Sequence, residues 1–230
     1  MKVLIVGAGI AGPTLAYWLL QAGHEPTLVE RAPKLPRGGY LVDFWGAGFD
    51  AAERIGIVPE LRRRGYVMTE ARAVDRDGHR IASFEPSAVM GSTQRYLSIA
   101  RSDLAAVIYG ALQERVELIL GDTVSALDDN AERVRVTFES GGTRDFDLVV
   151  GADGLHSRLA LVGDAAACPS LLAGQGSALA MVEAYVLAAE LTRVERSRRG
   201  LRSLPGAARG FPALQAGCRG GPGSGVRAEE

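Results

Sequence analysis

Lysine is nearly absent from this 230-residue chain: of 26 basic residues only Lys2 and Lys34 are lysine, and 27 acidic residues bring the net charge to −1. A balance that close to neutral excludes a broadly basic surface, so nucleic acid is not expected as a main partner. Cysteine is equally scarce. Cys168 and Cys218 stand alone, in no ligand or redox spacing, which makes a reducing, cytoplasmic location the expectation. His24, His79 and His156 are scattered and suggest no metal site. No stretch approaches the ~18 consecutive apolar residues that a membrane span needs, so no membrane partner is expected. What remains is a chain that is 47% hydrophobic, enough to bury the core of one domain.

The richest stretch is residues 2–30, KVLIVGAGIAGPTLAYWLLQAGHEPTLVE. Lys2–Val6 has the composition of a strand buried on both faces. Gly7, Gly9 and Gly12 follow in G-x-G-x-x-G spacing, and Leu15, Ala16, Leu19 and Leu20 then repeat at helical period. Pro13 suits the first turn of that helix, Gly23 suits its end, and Pro26–Glu30 reads as a second strand with an acid at its tip. Each glycine has a task in a dinucleotide site: a tight turn, close approach to a pyrophosphate, and close helix–strand packing. The phosphates would lie at the helix N-terminus, where free amides favour anions. Glu30, with Arg31 beside it, is placed to accept a ribose hydroxyl. Lys2 ahead of an apolar run is also how a secretory signal begins, but three glycines, Pro13 and an immediate return to strand pattern argue against one.

Farther along, a Pro/Gly loop leads to a short strand at Tyr40–Phe44 and two helical turns ending near Gly65. Residues 67–85 read as a hairpin about Asp77-Gly78, and Arg95–Ile99 as another strand. Ser102 is expected to cap a helix reaching about Gln113, with Leu104, Val107, Ile108 and Leu112 inward. Residues 116–147 change to period two in short stretches, the pattern of a β-meander. Asp147–Ala152 reads as a buried strand ending in Asp153-Gly154, followed by a second apolar run, LALVG, ending at Asp164. Glycines then open a helix with Ala180, Ala184, Leu187 and Leu191 on one side. From Thr192 the chain holds eight Arg, eight Gly and three Pro with little apolar periodicity, so 192–230 is expected to be a disordered Arg/Gly-rich tail.

The fingerprint, RGGYLVDFWG, RSDL, DLVVGADGLHSR and LALVGDAAACPSLLAGQGSALAMVEAYVLAAEL occur in the order seen in single-component FAD-dependent monooxygenases. Over residues 1–191 the chain resembles this family, which includes para-hydroxybenzoate hydroxylase and the tetracycline-modifying flavoproteins. The resemblance implies an α/β fold: a Rossmann-like FAD/NAD(P)-binding domain with a parallel sheet, a β-meander and, at 66–98, a remnant of the substrate-domain sheet with its hairpin. It implies FAD as cofactor and NADPH or NADH as reductant, with a flavin hydroperoxide that hydroxylates a small aromatic substrate. Gly7, Gly9, Gly12 and Glu30 would take the ADP half of FAD, and Arg101 would contact the cofactor from the start of its helix. Asp153 would touch the pyrophosphate and the nicotinamide cofactor, and Gly163 with Asp164 the ribitol or ribose hydroxyls. Gly174 and Gly176 would open a helix near the flavin, Gly38, Gly39 and Asp43 would lie beside the isoalloxazine, and Arg37 would help hold the reductant. The family mechanism needs no nucleophile or carboxylate pair, and no catalytic residue is assigned.

The family carries most of its substrate domain between GADGLHSR and LALVGDAA. Here those motifs abut at 158–160, which implies an internal deletion. Two alternatives therefore stand beside an active monooxygenase: a non-catalytic FAD- or nucleotide-holding remnant, and an NAD-dependent reductase. The hairpin at 67–85 would lack its partner strands and invite self-association. The six residues Asp153 to Arg158 would have to return between two parallel strands, so a strained link or a displaced second strand is expected.

Overall fold

The computed structural model describes residues 1–35, 38–86, 88, 95–130, 133–154 and 176–202, with side chains through Val194. In chain order the elements are β1 (Lys2–Val6), α1 (Ala11–Gln21), β2 (Glu25–Glu30), β3 (Leu41–Trp45), α2 (Ala47–Ile55) and α3 (Val58–Arg64). Next come β4 (Ala71–Val74), β5 (Arg80–Phe84), β6 (Tyr96–Ala100), α4 (Arg101–Gly110), β7 (Glu117–Leu120) and β8 (Val124–Asp129). The series ends with β9 (Val134–Phe138), β10 (Thr143–Phe146), β11 (Leu148–Gly151) and α5 (Gly176–Arg202).

The apolar run Val3–Val6 forms a strand because both of its faces find a partner. Val3 and Ile5 enter one hydrophobic cluster with Leu15 and Leu19 of α1 and Leu104 and Ile108 of α4. Leu4 and Val6 point the other way and meet Val136, Phe138 and Phe146 of the β9–β10 ribbon. A strand covered on both sides reads as a continuous apolar run rather than an alternating one. The sheet order is β11-β1-β2-β7, and every pair in it is parallel. Parallel pairing brings the carboxyl ends of β1, β2 and β11 to one edge, which is where ligands of open α/β sheets bind. That edge gathers Gly7, Glu30 and Asp153 although they lie far apart in sequence.

Two smaller β units flank this sheet. β8, β9 and β10 form the meander, while β3 and β6 pair antiparallel and send Phe44, Leu97 and Ile99 into the main core. α5 seals the same core with Ala180, Met181, Ala184 and Ala188, and Leu187 and Leu191 pack partly against it. β4 and β5 form a two-stranded sheet of their own, and every residue of β5 is exposed.

Several sequence expectations shift. The meander begins at β8 rather than at residue 116, because Thr27, Leu28, Val29 and Glu30 of β2 take Glu117–Leu120 as a fourth parallel strand. Ser102 does not cap α4: the N-cap is Ala100, with no side-chain cap, and Ser102 is buried inside the first turn. The stretch before Gly65 is two helices, α2 and α3, broken at Gly56, whose φ of +85° closes α2. Tyr66 bridges Ser98, so both ends of the 66–98 segment belong to the β3–β6 unit and the hairpin stands between them. The last helix does not stop at Leu191 but continues to Arg202; the compact unit it seals spans Met1–Val194. The junction at 155–160, the LALVG run and the remainder of the Arg/Gly tail lie outside the described residues.

Candidate functional site

The turn after β1 is built by close approach. Gly7 has a φ of +110°, and a Cβ on it would fall 2.5 Å from the carbonyl oxygen of Ala152. Gly12 has room for no side chain, because a Cβ there would lie 1.9 Å from the carbonyl oxygen of Gly7. The first turn of α1 therefore presses on the loop it leaves. Two ladder bonds hold that loop in place, Gly7 N–H to the Val29 carbonyl and Ala152 N–H to the Val6 carbonyl, each at 2.7 Å.

Gly9 differs from both. Its φ is not left-handed, so no backbone strain requires glycine there. Among the described residues, a Cβ on it would come within 4 Å of one atom, Nη2 of Arg101 at 3.9 Å. Arg101 opens α4 directly after β6 and aims its guanidinium across the loop. Among the described residues no carboxylate forms an ion pair with it. α1 carries no acidic residue in its first turn and no side-chain cap, so among the described residues no carboxylate takes up its leading amides. A bare glycine, a guanidinium with no ion pair among the described residues and a helix N-terminus thus converge on one point, and together they suit a doubly anionic group.

Glu30 lies at the tip of β2 beside this point. Its Oε2 accepts the Ala8 amide at 2.8 Å, and its Oε1 accepts the Ala32 amide at 3.0 Å. Each carboxylate oxygen has lone pairs beyond those two bonds, so the acid can also accept ribose hydroxyls. Asp153 is exposed at the end of β11, and its Cα lies 2.8 Å from the position of a Cβ on Gly7. Arg31 is exposed next to Glu30. Gly38 and Gly39 both have positive φ, +76° and +122°, in the loop that leads into β3. Gly176 is the first residue of α5. Arg37, Gly163, Asp164 and Gly174 lie outside the described residues.

Asp43 sits within β3, paired across from Ser98. Its Oδ1 accepts Ser98 Oγ at 2.6 Å and the Tyr96 hydroxyl at 2.9 Å. Burial pushes the Tyr96 phenol above its ordinary pKa, and the bond to Asp43 pushes the same way. Sequence reasoning overlooked both hydroxyls. Their signal was the Tyr-x-Ser spacing on a strand, which puts both side chains on one face.

A polar cleft at the opposite, amino-terminal end of the sheet lies among Lys2, Thr27, Glu117 and Arg144. There Arg144 makes paired bonds of 2.9 and 2.8 Å to Glu117, and the guanidinium holds the Glu117 carboxyl below its ordinary pKa. This cleft lies away from the carboxyl edge, and its Arg144 and Glu117 bond each other. Among the described residues, Asp75, Asp77 and His79 also approach one another in the hairpin turn, where Asp75 Oδ1 accepts the amides of Asp77 and His79. That is the internal bonding of a turn.

Residues 1–160 match the family described as FAD binding domain. The chain is 40% identical over 162 residues to an uncharacterized protein of Mycobacterium tuberculosis (strain ATCC 25618 / H37Rv), a match covering 69% of this chain and 44% of that one. It is 34% identical over 158 residues to a flavin-dependent monooxygenase from an unknown prokaryotic organism, covering 68% of this chain and 40% of the relative. Among solved structures, the tetracycline destructase Tet(51) aligns with a TM-score of 0.58 at 34% identity, over 68% of this chain and 39% of that one. HpxO of Klebsiella pneumoniae, complexed with FAD and uric acid, shares the fold at a TM-score of 0.57 and 24% identity, over 68% of this chain and 40% of that one. The chain spans about two fifths of the length of the proteins it matches.

Proposed function

The chain belongs to the FAD binding domain family, among relatives that are flavin-dependent monooxygenases, and from that membership we propose that it holds FAD at the carboxyl edge of its parallel sheet and serves NAD(P)H-dependent oxygenation of a small aromatic substrate. One observation carries the reading: Arg101 lies over the bare face of Gly9, where a dinucleotide pyrophosphate would rest.

In this reading the FAD pyrophosphate is held between the Arg101 guanidinium and the amides of Gly9 and the first turn of α1. Gly9 contributes space, and Gly7 and Gly12 contribute the tight fit of loop to helix. Glu30 fixes the adenosine ribose through its hydroxyls, with Arg31 at the rim. Asp153, at the same edge, approaches the pyrophosphate from β11, and Gly176 sets the start of α5. Gly38 and Gly39 let the backbone pass close to the ring system, and Asp43, steadied by Tyr96 and Ser98, supplies a fixed negative charge beside it. For Gly163, Asp164 and Gly174 the assignment rests on motif alone, as does that of Arg37 to the reductant. When bound, the flavin supplies the redox and oxygen chemistry; the side chains position it and limit water.

The test is to purify the chain, measure bound flavin by absorbance, and follow NADPH and NADH oxidation with and without aromatic substrates. Stoichiometric yellow protein that oxidises either nicotinamide supports the reading. A colourless chain that binds NAD would point instead to an NAD-dependent reductase. Bound FAD without any turnover would point to a cofactor-holding remnant, a reading that the abutting motifs at 158–160 favour.

A further inference from the structure

The β4–β5 hairpin is a ribbon with no covering layer among the described residues. It exposes Val74 by 55%, Ile81 by 70% and Phe84 by 55%, and among the described residues its two strands pair only with each other. A two-stranded ribbon is marginal in water, and an open edge is a template for another strand. The question is which strand, and the charges along β4 answer it.

Glu70, immediately before β4, and Arg72 within it already bond each other, Arg72 Nε to Glu70 Oε2 at 2.7 Å. Arg72 pulls the Glu70 carboxyl below its ordinary pKa. A two-fold axis perpendicular to the ribbon pairs β4 with itself in antiparallel fashion. Centred on Ala71, it places Glu70 opposite the partner's Arg72 and Arg72 opposite the partner's Glu70. The same register sets Thr69 across from the partner's Ala73, and Met68 across from the exposed Val74. Centred on Arg72 it would oppose two guanidiniums, and centred on Glu70 two carboxylates; like charges directly opposite destabilise a pair. Along β5 the comparable axis at Ala82 faces Arg80 with Phe84, and Pro86 ends the strand. The bulge between Ala73 and Val74 lies toward the turn and leaves residues 69–72 free to pair.

We propose that the outer edge of β4 is an interface for a second copy of this chain, joined two-fold about Ala71 into a four-stranded β5-β4-β4-β5 sheet. The interface does not involve the cofactor edge and stands apart from the flavin reading.

The experiment is sedimentation velocity on the full chain across a concentration series, with R72E, with E70R and with their equimolar mixture. Wild type should associate reversibly. Each variant alone sets like charges across the axis and should weaken dimerisation about tenfold. The mixture restores opposite charges at every position and should return to within about threefold of wild type. Both substitutions are on the surface, and far-UV circular dichroism should be unchanged. Amide exchange at residues 69–73 should slow as the wild-type concentration rises. A chain that stays monomeric throughout overturns the proposal, as does a dimer indifferent to either substitution. A mixture that fails to re-associate, or exchange at 69–73 that ignores concentration, overturns it equally.

Discussion

Nη2 of Arg101 lies 3.9 Å from the point where Gly9 would carry a Cβ, and those two residues are brought together from opposite ends of the β1–α4 segment. A guanidinium above a bare backbone leaves a gap into which a phosphate can settle, and each residue makes a separate demand on it.

Gly9→Val should remove FAD retention and leave folding almost intact. Its φ is ordinary and, among the described residues, its one neighbour within 4 Å is the end of a flexible side chain, so the stability change should stay within about 0.5 kcal/mol. Flavin absorbance after gel filtration, read beside a thermal melt, checks both halves; undiminished FAD in the variant would remove Gly9 from the site.

Gly12→Ala should behave in the opposite sense. The new methyl would collide with the Gly7 carbonyl at 1.9 Å, which backbone cannot yield cheaply. A loss of about 2 kcal/mol or more is expected, seen as a lower denaturant midpoint whether or not flavin is present.

Arg101→Lys should weaken FAD binding less than Arg101→Ala, with Ala losing tenfold or more in affinity. Lys keeps the charge but not the planar fork that matches a pyrophosphate. Equilibrium flavin fluorescence titration of the two variants separates charge from geometry. Identical affinities for wild type and both variants would mean that Arg101 faces no anion.

Asp122 ties β7 to the meander: Oδ1 accepts the Thr123 amide at 2.8 Å and the Ser140 amide at 3.1 Å, and Oδ2 accepts the Ser140 hydroxyl at 2.7 Å. The Ser140 hydroxyl, followed by the backbone amides, holds this carboxyl below its ordinary pKa. A depressed pKa stabilises the fold above the unfolded value and is lost as pH falls through the folded one. Wild type should therefore lose stability as pH drops below ~4. Asp122→Asn should already be destabilised at neutral pH and should show a shallower acid dependence in pH-resolved melts. Parallel acid curves for the two proteins would contradict the assignment.

Turnover, where it occurs, should be uncoupled. The motifs that bracket the family's substrate domain abut at 158–160, and a flavin edge with less protein between those motifs is more open to water. NADPH or NADH oxidation should release hydrogen peroxide in near-equal amount, measured by a peroxidase-coupled assay. Stoichiometric hydroxylation of an aromatic substrate would overturn this expectation.

The first thirty residues were legible because their signals are local. The apolar run, three spaced glycines, a helical period and a terminal acid each act within a few residues, and β1, α1 and β2 formed where that pattern put them. The inward positions Leu104, Val107, Ile108 and Leu112 were likewise readable from period alone. Partnerships across the chain were not readable. Residues 117–120 could have begun a meander, and only the open edge of β2 made them a parallel strand. Ser102 had the chemistry of a cap, but β6 ran straight into α4 and buried it. Asp43 was named for its place in a motif, while the hydroxyls of Tyr96 and Ser98 that fix it arrive from a strand more than fifty residues away. Residue type and spacing set which elements could form. Tertiary packing alone decided which faces met, because burial and hydrogen-bond partners depend on neighbours in space rather than in sequence.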